Sequence, residues 1–342
     1  MRWILITSCL LCGLLPSLKA GEVQQVKDPE TGWIVYTMCA GKTCASVVPQ
    51  AGCNVFSIVQ DGRELLKKPK SLKELPGFMF GNPICYPMPN RVANAAFTFE
   101  GKTYQFPANN GKNFLHGLVH SAPWEYVGAE GTANETTLHC RLEFKEGTEW
   151  FKLFPFPHTL KLAINVKDGA VKFTYTVDNT AGTGPVPFGL AFHPWFLYQG
   201  SRANTFLEVP ATHVFEVADS SPTGLIPTGK LLDLQGSPLD LRTARTLDKF
   251  VVDDVYFGMQ PDKPAVIDFR EIKLKLSLPA TADFANMVVY TPEQPWFCVE
   301  NQTCSTDAHN LAARGLTKEA NLIVVPKGQS HTGAAEFRFT AY

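Results

Sequence analysis

Charge is scarce in this sequence. Asp, Glu, Lys and Arg together make up 18% of 342 residues, and they nearly cancel to a net −1. Such a chain offers no basic field for a nucleic-acid backbone and carries no acidic tail, so no nucleic-acid partner is expected. Long amphipathic helical stretches are missing as well; only "SLKELP" (Ser71–Pro76) has room for a helical turn or two. Several chemical devices are absent. There is no GxxxxGK[ST] phosphate loop, no GxGxxG after a strand, no GxSxG nucleophile elbow and no HExxH. "HGLVH" places His116 and His120 four apart, but that spacing aligns two ligands only on a helix, and Gly117 with its strand-like neighbours argues against one. The sequence therefore implies no metal and no cofactor.

The one long apolar run lies at the start, where Arg2 precedes "WILITSCLLCGLL", then Pro16 and "SLKA". The run is short for a spanning helix, which needs about 20 residues. It reads as a signal peptide over residues 1–20 with cleavage after Ala20. A secreted or periplasmic protein with no membrane attachment after leader removal is the expectation. Of nine cysteines the leader would remove Cys9 and Cys12, leaving seven. Seven is odd, so at least one thiol stays unpaired. None of the seven pairs as CxxC, which argues against a zinc knuckle. "CAGKTC" sets Cys39 and Cys44 on either side of a turn, a spacing that a hairpin disulfide bridges.

What is present in quantity is period-two alternation. "TLKLAINVK" puts Leu160, Leu162, Ile164 and Val166 on one face, and "VKFTYTV" does so with Val171, Phe173, Tyr175 and Val177. "IKLKLSL" alternates Ile272, Leu274, Leu276 and Leu278 with polar residues, and "AFTFEGKTYQF" reads as a hairpin turning near Glu100–Lys102. Hydrophobic residues make up 45% of the chain, enough for a sizeable core, and 25 prolines and 26 glycines punctuate it at short intervals. Many short strands with frequent turns predict an all-β fold, a large antiparallel β-sandwich, as one domain over residues 21–342.

Against this background a few polar groups sit in unusual settings. "GLAFHPWFLY" buries His193 in an aromatic run with Pro194 behind it. "WFCVENQT" sets Glu300 in an apolar strand-like stretch, and a buried carboxylate is costly unless paired or functional. "YPMPNRVAN" holds Asn90 and Arg91 in a loop stiffened by prolines. "NFLHG" carries His116, and "VVDDVYF" carries Asp253 and Asp254.

Taken in order, these stretches resemble the aldose 1-epimerase (galactose mutarotase) family from about Asn54 to the C-terminus. "PNRVANAAFTFEGKTYQF" is similar to its Asn-Arg motif with the hairpin that follows. "NNGKNFLHG" is similar to its Leu-His-Gly motif, and "FHPWF" to its His-Pro-aromatic motif. "SPLDLR" and "DDVYF" match later landmarks, and "VVYTPEQPWFCVENQTCSTDAHN" resembles the segment carrying the catalytic glutamate. The resemblance implies a β-supersandwich and interconversion of the α and β anomers of free aldoses such as galactose or glucose. It implies Asn90, Arg91 and Asp253 (or Asp254, since the double acid leaves the register open) as ligands of sugar hydroxyls. It implies three catalytic residues, with His193 as general acid, Glu300 as general base and His116, also a sugar ligand, bonding near the ring oxygen. Trp195 would offer an aromatic face to the sugar's C–H surface. One departure is "CYPMP", which stands where the family usually has glycine-arginine and resembles a subgroup that includes hexose-6-phosphate epimerases. Three other readings follow from the same residues. One is a sugar-binding protein without turnover, and another is a hexose-6-phosphate epimerase. The third is a glycoside hydrolase using Glu300 with Asp253, which needs two carboxylates flanking the bond. "NET" at Asn134 and "NQT" at Asn301 are glycosylation sequons, and a glycan at Asn301 would block a pocket at Glu300.

Overall fold

The computed structural model describes Leu18 and residues 20–342. The leader read over residues 1–20 lies, apart from Leu18 and Ala20, outside the described residues, as do Cys9 and Cys12. Among the described residues no helix is long and apolar enough to cross a membrane.

The alternating segments form the expected antiparallel strands. "TLKLAINVK" lies in the strand His158–Lys167 and pairs with Ala170–Asp178. Leu160, Ile164, Val166, Val171 and Val177 on these strands are fully buried, while Lys161 and Lys172 face solvent. One face is apolar because side chains alternate across a strand, and burying that face is what holds the sheet on the core. The two strands belong to a nine-stranded antiparallel sheet. Its order is Glu125–Gly131, Glu135–Phe144, His158–Lys167, Ala170–Asp178, Ser330–Ala341, Leu274–Leu278, Ala265–Phe269, Thr205–Glu208, Arg245–Thr246. The "IKLKLSL" strand begins at Leu274 rather than Ile272, because Arg270–Ile272 forms a 3-10 turn and Lys273 adopts φ 51. "AFTFEGKTYQF" is a hairpin, Ala96–Phe99 against Lys102–Gln105. "SLKELP" gives a 3-10 helix, Leu72–Gly77, capped by the Ser71 side chain.

A second, eight-stranded antiparallel sheet carries the residues of interest. Its order is Pro227–Asp233, His213–Val217, Asp253–Phe257, Asn286–Tyr290, Trp296–Gln302, Ala191–Phe192, Ile84–Cys85, with Trp195–Leu197 also on Trp296–Gln302. A five-stranded sheet is built from the first strands of the chain, Val23–Lys27 through Arg63–Glu64. One large buried cluster draws on all three sheets, including Met38, Val47, Leu162, Phe173, Tyr256 and Val299.

Cys39 and Cys44 face each other across the pairing of Ile34–Ala40 with Thr43–Val48 and are disulfide-bonded. Cys53, Cys85, Cys140, Cys298 and Cys304 are free and buried. Alkylation of denatured but unreduced protein should label these five and spare Cys39 and Cys44. Mass spectrometry that finds the latter two alkylated contradicts the bridge. Of the two sequons, Asn134 is exposed and Asn301 is buried within Trp296–Gln302, so the folded chain has room for a glycan only at Asn134.

Candidate active site

The short strands Ala191–Phe192 and Trp195–Leu197 break at His193–Pro194. Proline has no N–H to give the ladder, so pairing stops there. The backbone is held instead by loop contacts: His193 N–H donates to Pro83 O at 3.0 Å and Trp195 N–H to Gly81 O at 2.9 Å. The break turns the imidazole toward the neighbouring strand Trp296–Gln302, where Glu300 stands. His193 Nε2 and Glu300 Oε1 are 3.1 Å apart, with both side chains at most 5% exposed.

Register places the other acid. Asp253 pairs with Tyr290, which pairs with Cys298, so these three form a row across one sheet face. Glu300, two residues beyond Cys298, shares that face, because side chains repeat every second residue. Asp254 projects to the opposite face. Asp253 therefore lines the cavity over this sheet and Asp254 does not.

Arg91 reaches the same cavity from the proline-bounded loop. Its Nη1 donates to Asn90 Oδ1 (2.8 Å), Nε to Asn110 Oδ1 (3.2 Å) and Nη2 to Pro222 O (2.9 Å). Asp253 Oδ2 lies 3.8 Å from Nη2. Asn90 adopts φ 57, a left-handed conformation that asparagine tolerates better than most residues. Its carbonyl accepts the His116 N–H at 2.8 Å, which ties the Asn-Arg loop to the Leu-His-Gly segment. Gly117 follows at φ 72, where a Cβ would stand 2.3 Å from Tyr86 O, so only glycine fits. Behind the loop, Asp307 N–H donates to Arg91 O and Asp307 Oδ1 accepts from Ala93 N–H, both at 2.9 Å.

These groups converge on a cavity of about 450 Å³, within the roughly 300–1,000 Å³ usual for small-molecule sites. Asn90, Arg91, His116, His193, Trp195, Asp253 and Glu300 all line it, so every site residue expected from the sequence meets in one place. Trp195 stacks on His193 (centroids 4.9 Å, 29°) and donates its Nε1–H to Phe78 O at 2.8 Å.

Phe78 was not legible in the sequence. It is bulky, yet sits at φ 71, and its ring stacks on His116 at 4.1 Å and 9°. It also meets His120, His193 and Trp195 edge-on. The one signal was an aromatic pair, Phe78 and Phe80, bracketed by Gly77 and Gly81. His120, Tyr290 and Trp296 also line the cavity without having been singled out as cavity groups.

Burial sets the protonation states. It pushes His193 down to about 3 and Glu300 well above the usual carboxylate range. Glu300 is held back somewhat by the Gln302 amide, which donates to Oε2 at 3.3 Å, and by Arg91, while Asp253 pushes it further up. The 3.1 Å contact is thus better written as a neutral pair sharing one proton than as an ion pair, because two bare charges so deeply buried are costly. Burial also lowers His116, with His193 and His120 adding to the effect, so it too is neutral. Asp253 is raised by burial and pulled back by Arg91. Asp254 is pushed up to about 6 by burial and by Asp253 beside it. His116 and His120 do not share a helix, yet both line the cavity and meet the Phe78 ring. Among the described residues, one group of three potential metal donors stands together: His193, Cys298 and Glu300.

The profile of the aldose 1-epimerase family matches residues 35–338. The uncharacterised protein YihR of Escherichia coli K12 is 26% identical over 86% of this chain and 90% of its own length. Galactose mutarotase of Bos taurus is 26% identical over 52% of this chain and 50% of its own. Aldose 1-epimerase of E. coli K12 is 27% identical over 48% and 46%. The chain thus matches about half the length of those two enzymes. Among solved structures, a galactose mutarotase-like protein from Clostridium acetobutylicum superposes with TM-score 0.80 at 17% identity, covering 94% of this chain and 99% of that one. A putative aldose 1-epimerase from E. coli K12 gives TM-score 0.73 at 19% identity, covering 90% and 99%. The fold is that of the galactose mutarotase structures, and the chain belongs to the aldose 1-epimerase family.

Proposed function

We infer that this protein is a mutarotase that interconverts the α and β anomers of a free, uncharged hexose such as galactose or glucose. The observation that carries the reading is the buried His193–Glu300 contact at 3.1 Å on the floor of the cavity. Anomer exchange opens a pyranose ring and closes it again. A proton leaves the C1 hydroxyl and another reaches the ring oxygen, and both oxygens are bonded to C1. An acid and a base that act on them must therefore be close neighbours, as these two are. The pair holds one proton. Moved from Oε1 to Nε2, it gives an imidazolium beside a carboxylate, and both catalytic forms are then present. Glu300 takes the C1 hydroxyl proton while His193 delivers its own to the ring oxygen. On closure the roles reverse and the pair regains its starting state. No external redox partner or group carrier enters the balance.

The remaining groups bind. Arg91, Asn90, Asp253 and His116 offer hydrogen bonds to ring hydroxyls, and Trp195 offers an aromatic face. A glycoside hydrolase would need Asp253 and Glu300 as a matched carboxylate pair. Asp253 is instead held beside Arg91, and the imidazole–carboxylate contact would have no part in that reaction.

Electrostatics favour a neutral sugar over its phosphate. Among the described residues Arg91 is the one lysine or arginine lining the cavity; Asn90, Asn110 and the Pro222 carbonyl take three of its five N–H donors, and Asp253 stands close by. A phosphate would meet the Asp253 carboxyl group beside the one lining cation, Arg91. Polarimetry on galactose and glucose should therefore show acceleration over the spontaneous rate. The corresponding 6-phosphates should be poorer in kcat/KM by at least about tenfold, or ~1.4 kcal/mol. Preference for a 6-phosphate overturns the substrate class, and acceleration of neither overturns the enzyme reading.

Export is part of the same proposal, resting on the sequence alone. The exported chain should begin near Gly21, and N-terminal sequencing that still reads Met1 contradicts it.

A further inference from the structure

We propose that the floor of this cavity is also a binding site for a thiophilic divalent cation, with zinc as the fitting ion, and that occupation shuts the enzyme off. A ring nitrogen of His193, Cys298 Sγ and a Glu300 carboxylate oxygen all lie within 4.8 Å of one another. Imidazole, thiol and carboxylate are the zinc donor set, and three protein ligands with the fourth position open is the arrangement of accessible zinc sites. Here His193 and Glu300 line the cavity, and Cys298 lies buried beside them.

The sheet explains the grouping. Cys298 and Glu300 are two apart on Trp296–Gln302 and so share a face, and Trp195, two residues after His193, pairs directly with Cys298. Two further observations point to a ligand. His193 is buried and its ring is held through Nε2 alone, the nitrogen that would face the ion, since Nδ1 has no hydrogen-bond partner in the protein. A second thiol, Cys85, lies in the same buried cluster as Cys298, with its Sγ 3.6 Å from His116 Nδ1. Zinc ligands stand roughly 2.0–2.3 Å from the ion. The His193–Glu300 separation of 3.1 Å already suits that, and the thiol has to close by about 1 Å, within reach of a side-chain rotation.

The proton balance is fixed. Cys298 must give up its thiol proton to bind as thiolate, and the His193–Glu300 pair must give up the one it shares. Binding one Zn²⁺ therefore releases two protons, with no change of oxidation state. The ion then sits on the acid and the base together, so sugar opening stops. Mg²⁺, a hard cation that favours oxygen ligands and keeps its water, does not fit this set.

Inhibition rests on the mutarotase reading, whereas binding does not, so the two are measured separately. Binding is read with Cd²⁺ as the probe, following the ultraviolet thiolate-to-metal charge-transfer band of the full mature chain. One Cd²⁺ per chain should produce the band, Zn²⁺ should displace it and Mg²⁺ should not. Cys298→Ser should abolish the band. Inhibition is read by polarimetry with Zn²⁺ alone. Wild type should lose activity, and chelator should restore it in full. Cys298→Ser should keep the uninhibited rate, because Cys298 takes no part in proton transfer. Its inhibition midpoint should rise by at least the roughly 10–100-fold that loss of a mere outer-shell partner costs. A wild-type chain that gives no Cd²⁺ band overturns the proposal without recourse to any variant. So does an equal zinc midpoint in wild type and Cys298→Ser, or equal potency of Mg²⁺ and Zn²⁺. If Cd²⁺ binds as described but no mutarotation occurs even without metal, the site stands and the enzyme reading falls.

Discussion

Glu300→Gln should lower turnover by roughly 10²–10⁴-fold, the usual worth of a positioned acid or base, with sugar affinity nearly unchanged. The amide keeps the shape of the side chain and still forms hydrogen bonds, but it cannot accept the C1 hydroxyl proton. The affinity contacts come from elsewhere: Arg91, Asn90, Asp253 and His116 line the same cavity and survive the change. Folding should also survive. Burial raises Glu300 well above its ordinary value and so favours its neutral form, and the substitution replaces that group with another neutral one of the same shape. A large kcat loss with a small KM change is the signature of an interaction made only in the transition state. Stopped polarimetry beside calorimetric binding of galactose reads both. Normal turnover in this variant means that the base is wrongly assigned.

His193→Asn should cost a similar 10²–10⁴-fold, because the ring oxygen then has no group able to deliver a proton. Combined with Glu300→Gln, the loss should fall well short of the product of the single losses, since acid and base serve one proton exchange. The wild-type pH profile belongs to the same argument. The active pair holds one proton, so activity is lost when it gains a second at low pH or loses its only one at high pH. Burial pushes His193 down to about 3 and Glu300 well above its ordinary value, so the limbs are spread apart. The two limbs belong to the pair and not to either residue. The acid limb should lie well below 6.5, the ordinary histidine value, with a plateau through neutral pH. A single acid limb near 6.5 would mean a solvent-exposed histidine carries the proton, and the buried pair does not.

The strands and their buried faces were legible because period-two alternation is a local signal. Leu160 to Val166 and Val171 to Val177 show it directly. Their order in the sheets was not legible, because pairing partners such as Ala170–Asp178 with Ser330–Ala341 lie far apart in sequence. The site residues stood out singly as polar groups in apolar runs, and the family resemblance assigned their roles. Long-range geometry supplied what neither could. Asp253 and Asp254 are indistinguishable in "DDVYF", and only the pairing with Tyr290 decides which one faces the cavity. Pro222 supplies a carbonyl to Arg91 from 131 residues away. Phe78 stacks on His116 from the C-cap of the short helix Leu72–Gly77, in a conformation that a bulky side chain rarely adopts. Strain of this kind concentrates at functional sites and has no local sequence signature.

The central claim is that the His193–Glu300 pair exchanges protons with a sugar held in this cavity. The most direct test is the rate at which α-galactose relaxes to its anomeric equilibrium, followed by polarimetry with wild-type protein and corrected for the spontaneous reaction. Binding of the same sugar is measured alongside by calorimetry. The expected result is an enzyme-dependent rate proportional to protein concentration, with binding that saturates over the same range of sugar. Protein that binds galactose but never exceeds the spontaneous rate would contradict the account and leave a carbohydrate-binding protein on a mutarotase scaffold.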